Sequence, residues 1–339
     1  MKPSVSRRAF VAGCAAVGAA LPVSGCLHAA AQKERNGRVA CGTFALDESR
    51  VRFFCPLVRE PLRVLVLGDT HLHLDDARGE PFKGYSGRMA KAYDRTRHYK
   101  NGAETNPQAC FEASLTLAKE RQSDLVVLVG DLFSFPSEAA VEWALGKLKG
   151  SGLPYLYVSG NHDWHYEGME GTGAALRAEW AEKRLGPLYQ GRSALMQAVD
   201  VKGVCFVAID NSTYEILPEQ LAFFRRQVKR ERPLVLCMHV PLYAPGRDLG
   251  FGCGHPQWGA SSDRNWKIER RPQWPASGHT EVTMAFHREV FSASHLLGVF
   301  AGHTHQQSLD VVNGVPQFVT PANATGGSLV VDVFESDGR

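Results

Sequence analysis

Six short apolar runs punctuate the chain, at 62–68, 124–130, 155–159, 203–210, 234–239 and 297–301, and each reads as a β-strand. Several are apolar at nearly every position, without polar alternation, which predicts strands covered on both faces. Between the early runs the spacing turns helical. Residues 107–121 follow Asn106, a good N-cap. Residues 137–149 open on Ser137-Glu138 and stop before Gly150, and 218–229 and 281–292 predict two more helices. Closely spaced strands follow from 310 to 334. Strands alternating with helices early, then strands in quick succession, predict an α/β layered fold with a mixed sheet.

Two long segments break this rhythm, 72–106 and 243–278. The second carries Trp258, Trp266 and Trp274 together with Arg247, Arg264, Arg270 and Arg271. Irregular stretches of this length inside a domain are functional or disordered, and the aromatic content of 243–278 favours an ordered cap. Two roles stay open for it. It could bind an anionic or sugar-bearing ligand by stacking and charge, or it could form a small satellite core.

The N-terminus reads as targeting, not fold. Ser6-Arg7-Arg8-Ala9-Phe10 resembles a twin-arginine export signal, and the apolar stretch 11–23 is too short to span a bilayer. Val23-Ser24-Gly25-Cys26 resembles a lipobox, in which Cys26 would carry acyl chains and anchor the protein to a membrane. Cleavage among the small residues 29–31, releasing a soluble protein, is the alternative. The expected organisation is an export signal at 1–31, an N-terminal extension at 32–60 and one domain at 61–339 with insertions near 72–106 and 243–278. The expected location is outside the cytoplasm, periplasmic or membrane-anchored.

Charge and cysteine content narrow the class. A net charge of +3 over 339 residues, with no dense Lys/Arg run, argues against bulk nucleic acid as a partner. Eight cysteines do not form a disulfide framework or a metal-site spacing. Cys205 and Cys237 sit inside apolar runs as small buried hydrophobes, and a Cys41–Cys55 bridge is not expected.

The chemistry collects at the ends of the apolar runs. Gly68-Asp69-Thr70-His71 closes the first, Gly130-Asp131 the second and Gly160-Asn161-His162-Asp163 the third. His239 ends the run at 234–239, and Gly302-His303-Thr304-His305 follows 297–301. In α/β proteins strand ends converge, so these clusters can meet in space. Carboxylate, imidazole and amide oxygens suit Mn, Fe or Zn, with no thiolate among them.

In that order, Asp-x-His, Gly-Asp, Gly-Asn-His-Asp, His and Gly-His-x-His resemble the signature of the calcineurin-like metallophosphoesterases, over residues 69–305. The resemblance implies an α-β-β-α sandwich with mixed sheets and a dinuclear metal site at strand ends. It assigns Asp69, His71 and His305 to one metal, Asn161, His239 and His303 to the other, and Asp131 to both. It further implies that a metal-activated water or hydroxide attacks phosphorus in line, with His162 protonating the leaving oxygen. Asp163 could orient His162 or serve only the local turn. Two divalent or trivalent ions (Mn, Fe or Zn) are the expected cofactors, and a small phosphate ester is the expected substrate. Of the remaining histidines, His73 could support the neighbouring ligand His71 from outside, though exposure at a strand end is the first expectation; His98, His165, His255 and His279 are expected to be solvated in loops, and His287 and His295 to pack or face water.

Subfamily marks do not carry over. Ser134 stands where purple acid phosphatases have a metal-binding Tyr and where cyclic-nucleotide phosphodiesterases often have Asp, and His165 stands where the latter often have Arg. The leading expectation is metal-dependent hydrolysis of phosphomonoesters or phosphodiesters. The alternatives are a membrane-tethered phosphodiesterase for nucleotides or lipid head groups and, from another class, a non-catalytic binding protein on the same fold.

Overall fold

The computed structural model describes residues 42–336 except 265 and 269. The expected export signal at 1–31, with Arg7, Arg8 and Cys26, lies outside the described residues, as does Cys41. Fourteen strands are present among the described residues: β1 (Thr43–Asp47), β2 (Arg50–Cys55), β3 (Leu62–Leu67), β4 (Thr96–Arg97), β5 (Glu104–Thr105), β6 (Leu125–Val129), β7 (Tyr155–Val158), β8 (Met196–Val201), β9 (Val204–Ile209), β10 (Leu234–Cys237), β11 (Leu296–Ala301), β12 (Ser308–Val312), β13 (Val315–Val319) and β14 (Leu329–Glu335). The longer helices are α1 (Pro107–Glu120), α2 (Glu138–Ser151), α3 (Gly173–Trp180), α4 (Pro218–Val228) and α5 (Glu281–Val290).

Two six-stranded sheets carry the fold, ordered β1-β2-β14-β3-β6-β7 and β12-β13-β11-β10-β9-β8. Both are mixed: β3, β6 and β7 run parallel, as do β9, β10, β11 and β13, with antiparallel strands toward the edges. The unbroken apolar runs have the predicted cause. Val64, Val66, Leu125, Val127 and Val129 join Phe206, Val235, Cys237 and Phe300 in a core between the sheets. Leu65, Leu67, Val126 and Leu128 pack the opposite face with residues of α1, α2 and α3. The outer face of the second sheet packs with residues of α4 and α5, among them Leu221, Phe224, Phe286 and Val290. The layers are helix, sheet, sheet, helix.

Helix boundaries follow their caps. The Asn106 side chain accepts from the Ala109 N–H at 2.8 Å to open α1, and Ser137 does the same for α2 from Ala140 at 3.1 Å. Gly150 does not stop α2. The helix runs to Ser151 and ends at Gly152, whose φ of 71° supplies the left-handed cap. Residues 43–55, read from sequence as part of an extension, form the β1–β2 hairpin. β2 pairs with β14, and Phe53 is buried edge-on against Phe300 and Phe318 between the sheets. Cys110, Cys205, Cys237 and Cys253 are buried thiols. Among the described residues no helix is long and apolar enough to cross a membrane.

Candidate metal centre

Three strand ends of the first sheet meet at one edge. β3 runs into Gly68-Asp69-Thr70-His71, β6 into Gly130-Asp131, and β7 into Ser159-Gly160-Asn161-His162. The first two loops stay laddered beyond the strands. Asp69 N–H donates to Gly130 O at 3.0 Å, His71 N–H to Asp131 O at 2.9 Å and Leu72 N–H to Leu132 O at 2.8 Å. From the second sheet come His239, just past β10, and the 302–305 loop that follows β11.

Hydrogen bonds tie the two sets together. His303 N–H donates to both carboxylate oxygens of Asp69 at 2.9 Å. His239 Nδ1 lies 2.8 Å from Val129 O. A carbonyl only accepts, so Nδ1 carries a proton and Nε2 is the nitrogen left to serve as a ligand atom.

All seven side chains expected from the sequence to hold metal come together here. Asn161 Oδ1 lies 3.1 Å from His239 Nε2 and 3.0 Å from His303 Nδ1, and His239 Nε2 lies 3.2 Å from Asp131 Oδ2. On the other side His71 Nε2 is 3.0 Å from His305 Nε2 and 3.9 Å from Asp131 Oδ2, and His305 Nε2 is 3.4 Å from Asp69 Oδ1. Two sets result, Asp69-His71-Asp131-His305 and Asp131-His239-His303, each with ligand atoms within 4.8 Å of one another. Separations of 3–4 Å are those between donors around one cation bonded at about 2.1 Å, so the residues fit two such ions sharing Asp131.

Electrostatics agree with that fit. Asp69, His71 and His239 are wholly buried. Burial holds His71 well below its ordinary value, and burial followed by the charge of His239 takes His303 down to about 3. Both imidazoles are therefore in the neutral form that can ligate. At His239 burial pulls down too, but Asp131 outweighs it and lifts the group to about 10, so a cation taking Nε2 would displace a proton from it.

The backbone is strained where the donors sit. Asp69, His71, Asp131, His303 and His305 all have positive φ, between 49° and 72°. Left-handed non-glycine residues cost of order 1–3 kcal/mol each and persist only where the surroundings fix them. Gly130 takes φ 87° at the seam, where an added Cβ would stand 2.6 Å from both Gly160 N and His239 Nδ1.

His162 and Asp163 take separate roles. The Asp163 carboxylate accepts from Phe133 N–H and Gly160 N–H, both at 2.7 Å, so it fixes the loop, which is the turn role left open by the sequence. The His162 ring lies 5.3 Å from that of His71, and its Nδ1 is buried with no hydrogen-bond partner among the described residues.

Two aromatic residues at the site escaped the sequence reading. Tyr93, from the 72–106 segment, stacks on His71 with centroids 4.3 Å apart and planes at 7°. The Tyr214 hydroxyl lies 3.4 Å from His303 Nε2, the nitrogen facing away from Asn161. A signal existed for Tyr214, since Asp210-Asn211-Ser212 ends the 203–210 run just as the other polar clusters end theirs. Asn211 also clamps Val240, beside His239, through hydrogen bonds at 2.7 and 3.0 Å. For Tyr93 no local signal existed.

Several histidine expectations are corrected. His165 and His255 are buried, His165 beside Trp164 and His255 under Tyr243, and the His279 side chain is enclosed by Trp258 and Trp274, so loops that look solvated in sequence are covered by aromatic rings. His73 is not an exposed strand-end group: its side chain is 13% exposed, with Nδ1 at 3.2 Å from His71 O and Nε2 at 3.2 Å from Asp94. Trp258 and Trp274 pack against Tyr214 as a satellite core, and Trp274 also lines a cavity of about 310 Å³ that borders Asn161.

The model of the calcineurin-like phosphoesterase family matches residues 62–307. A protein of Psychrobacter sp. (strain PRwf-1) named "Probable cyclic nucleotide phosphodiesterase" is 25% identical over 223 residues, 63% of this chain and 56% of that protein. One of the same name from Psychrobacter arcticus is 24% identical over 234 residues, 68% and 75% of the two chains. The chain thus spans little more than half the length of the first of these relatives. Among solved structures, a dimetal phosphatase from Danio rerio aligns over 80% of this chain and 93% of its own, at 10% identity and a TM-score of 0.46.

Proposed function

Because the chain belongs to the calcineurin-like phosphoesterase family, a family of metal-dependent hydrolases, we propose that it cleaves phosphomonoesters or phosphodiesters with two metal ions held at the seam of its sheets. The observation that carries the reading is the meeting of Asp69, His71, Asp131 and Asn161 from one sheet with His239, His303 and His305 from the other. Asp69, His71 and His305 would hold one ion and Asn161, His239 and His303 the other, with Asp131 the residue common to both sets. Ions so placed supply positive charge to the phosphoryl oxygens and lower the pKa of a water nucleophile. The chain's own residues do the rest. Asp163 and the ladder at 69–72 fix the loops, the left-handed turns aim the donors, and His162 gives its proton to the departing oxygen.

His162→Ala tests that last step. General acid catalysis contributes about 10²–10⁴-fold and matters most for poor leaving groups. The variant should keep both metals and lose far more kcat/KM on alkyl esters than on nitrophenyl esters. Equal losses on the two would remove His162 as the donor, and loss of a metal would make it a ligand.

Phosphodiesters head the substrate panel because the relatives above carry that name. Ser134 and His165 stand where Asp and Arg are common in cyclic-nucleotide enzymes, so cyclic nucleotides enter as one class among several. The export motif and the Cys26 lipobox support action outside the cytoplasm, in the periplasm or on a membrane anchor. Replacing Arg7 and Arg8 by Lys should leave the precursor in the cytosolic fraction, and unchanged export would overturn this placement.

A further inference from the structure

We infer that Tyr93, brought in by the 72–106 segment, positions the His71 imidazole for the Asp69-side ion by stacking, in place of the hydrogen bond that orients a ligating histidine elsewhere; the inference rests on the two-metal reading above. A ligating imidazole is normally oriented by its second nitrogen, whose N–H donates to a carbonyl or carboxylate. His239 follows that rule through Nδ1 and Val129 O, at 2.8 Å. His71 does not. Its Nε2 faces His305 and Asp131, while its Nδ1 is buried with no hydrogen-bond partner among the described residues.

A ring face takes over that support. Tyr93 lies parallel to the His71 imidazole, with centroids 4.3 Å apart and planes at 7°, and its centroid is 6.2 Å from that of His305. One phenol therefore reaches both imidazoles of the Asp69-side set. On the Asn161 side the aromatic neighbour is a different residue, Tyr214, which meets His303 edge-on at 5.5 Å. The backbone of His71 is fixed without Tyr93. Its carbonyl accepts from Ser134 Oγ at 3.1 Å, and its N–H donates to Asp131 O at 2.9 Å. Removing the phenol thus frees the ring and leaves the loop in place.

Two ties set Tyr93 over the site. Asp94 Oδ1 lies 3.2 Å from Nε2 of His73, whose Nδ1 lies 3.2 Å from His71 O, which joins the segment to the loop after β3. Arg88 Nε donates to the buried Glu167 carboxylate at 2.7 Å, which joins it to the loop after β7. Between the ties, Met89–Ala92 forms a helical turn with Met89 buried. The segment is anchored on both sides of the ring it presents.

The test titrates the full-length protein, freed of metal by chelation, with Zn²⁺ against a chromophoric chelator. Wild type should give two binding constants, and His305→Ala marks the one that belongs to the Asp69 side. Tyr93→Leu keeps an apolar side chain without a ring face. It should weaken that constant by about 10-fold or more, the size expected when the support of a ligating histidine is lost, and leave the other unchanged. Tyr93→Phe keeps the face and should bind both ions as wild type does. Wild-type affinity in Tyr93→Leu would overturn the inference, as would equal weakening of both ions or a Phe variant as weak as the Leu one. Should Tyr93→Leu not fold, the zinc-loaded wild type decides by NMR. The carbon-bound protons of the His71 ring should lie upfield of the usual range for a zinc-bound imidazole, shielded by the stacked phenol, and ordinary shifts would count against the stack. A protein that takes up no Zn²⁺ at all would instead overturn the two-metal reading.

Discussion

The two sheets contribute unlike halves to one site. The first sheet delivers Asp69, His71, Asp131 and Asn161, three oxygen donors and one imidazole, on loops that remain laddered to each other. The second delivers only imidazoles, His239, His303 and His305, on loops laddered by Gly302 N–H to His239 O at 2.9 Å, and these imidazole-bearing loops also reach across, through His239 to Val129 and His303 to Asp69. Neither half alone provides both members of either close donor pair, His71 with His305 or Asn161 with His239. The difference teaches that metal affinity here is a property of sheet-on-sheet packing as much as of the ligands.

Replacing the one residue common to both metal sets should disable the two sets together. Asp131→Asn removes the shared anion, and turnover should fall on the order of 10³-fold or more, with elemental analysis giving well under two ions per chain. Two tightly bound ions with normal turnover would exclude Asp131 from the bridge. Next in size is the seam itself. Gly130→Ala places a methyl group against Gly160 and His239 at a left-handed position, and denaturant titration should show a loss of about 2–4 kcal/mol. A loss below 1 kcal/mol would mean that the halves tolerate displacement. Smallest and most selective is Tyr214→Phe. It takes the hydroxyl from His303 Nε2 and should weaken the Asn161-side ion by about 10-fold, leaving the Asp69-side ion in place. Equal weakening of both ions would show that the two metal sets do not bind independently.

How much of this was legible followed from physical locality. The six central strands announce themselves because burial on both faces leaves few polar interruptions, and each polar cluster stands out at the end of such a run. The β1–β2 hairpin did not, since Arg50 and Arg52 interrupt its apolar positions and its turn bends at Glu48 with φ 49° without a glycine. Helix α3 was hidden as well, a short element of eight residues in a Gly-rich neighbourhood. The seven donor residues could be named because their order along the chain carries the pattern. Tyr93 could not, because it meets the site only through ring contacts made across the fold, on His71 and His305 among the described residues. The burial of His255 and His279 depends likewise on aromatic rings brought in by tertiary packing.

The contact between His71 and His305 closes a span of 234 residues. At roughly 5–20 residues per second of synthesis, the first donors leave the ribosome some 10–50 s before the last. Throughout that interval the nascent chain exposes Asp69, His71, Asp131 and Asn161 with no partner half to complete them. Loading must therefore follow synthesis of nearly the whole domain, and any translation product that stops short of His303 lacks both closing imidazoles. A chain that stalls before His303 is therefore expected to be inactive rather than partially active.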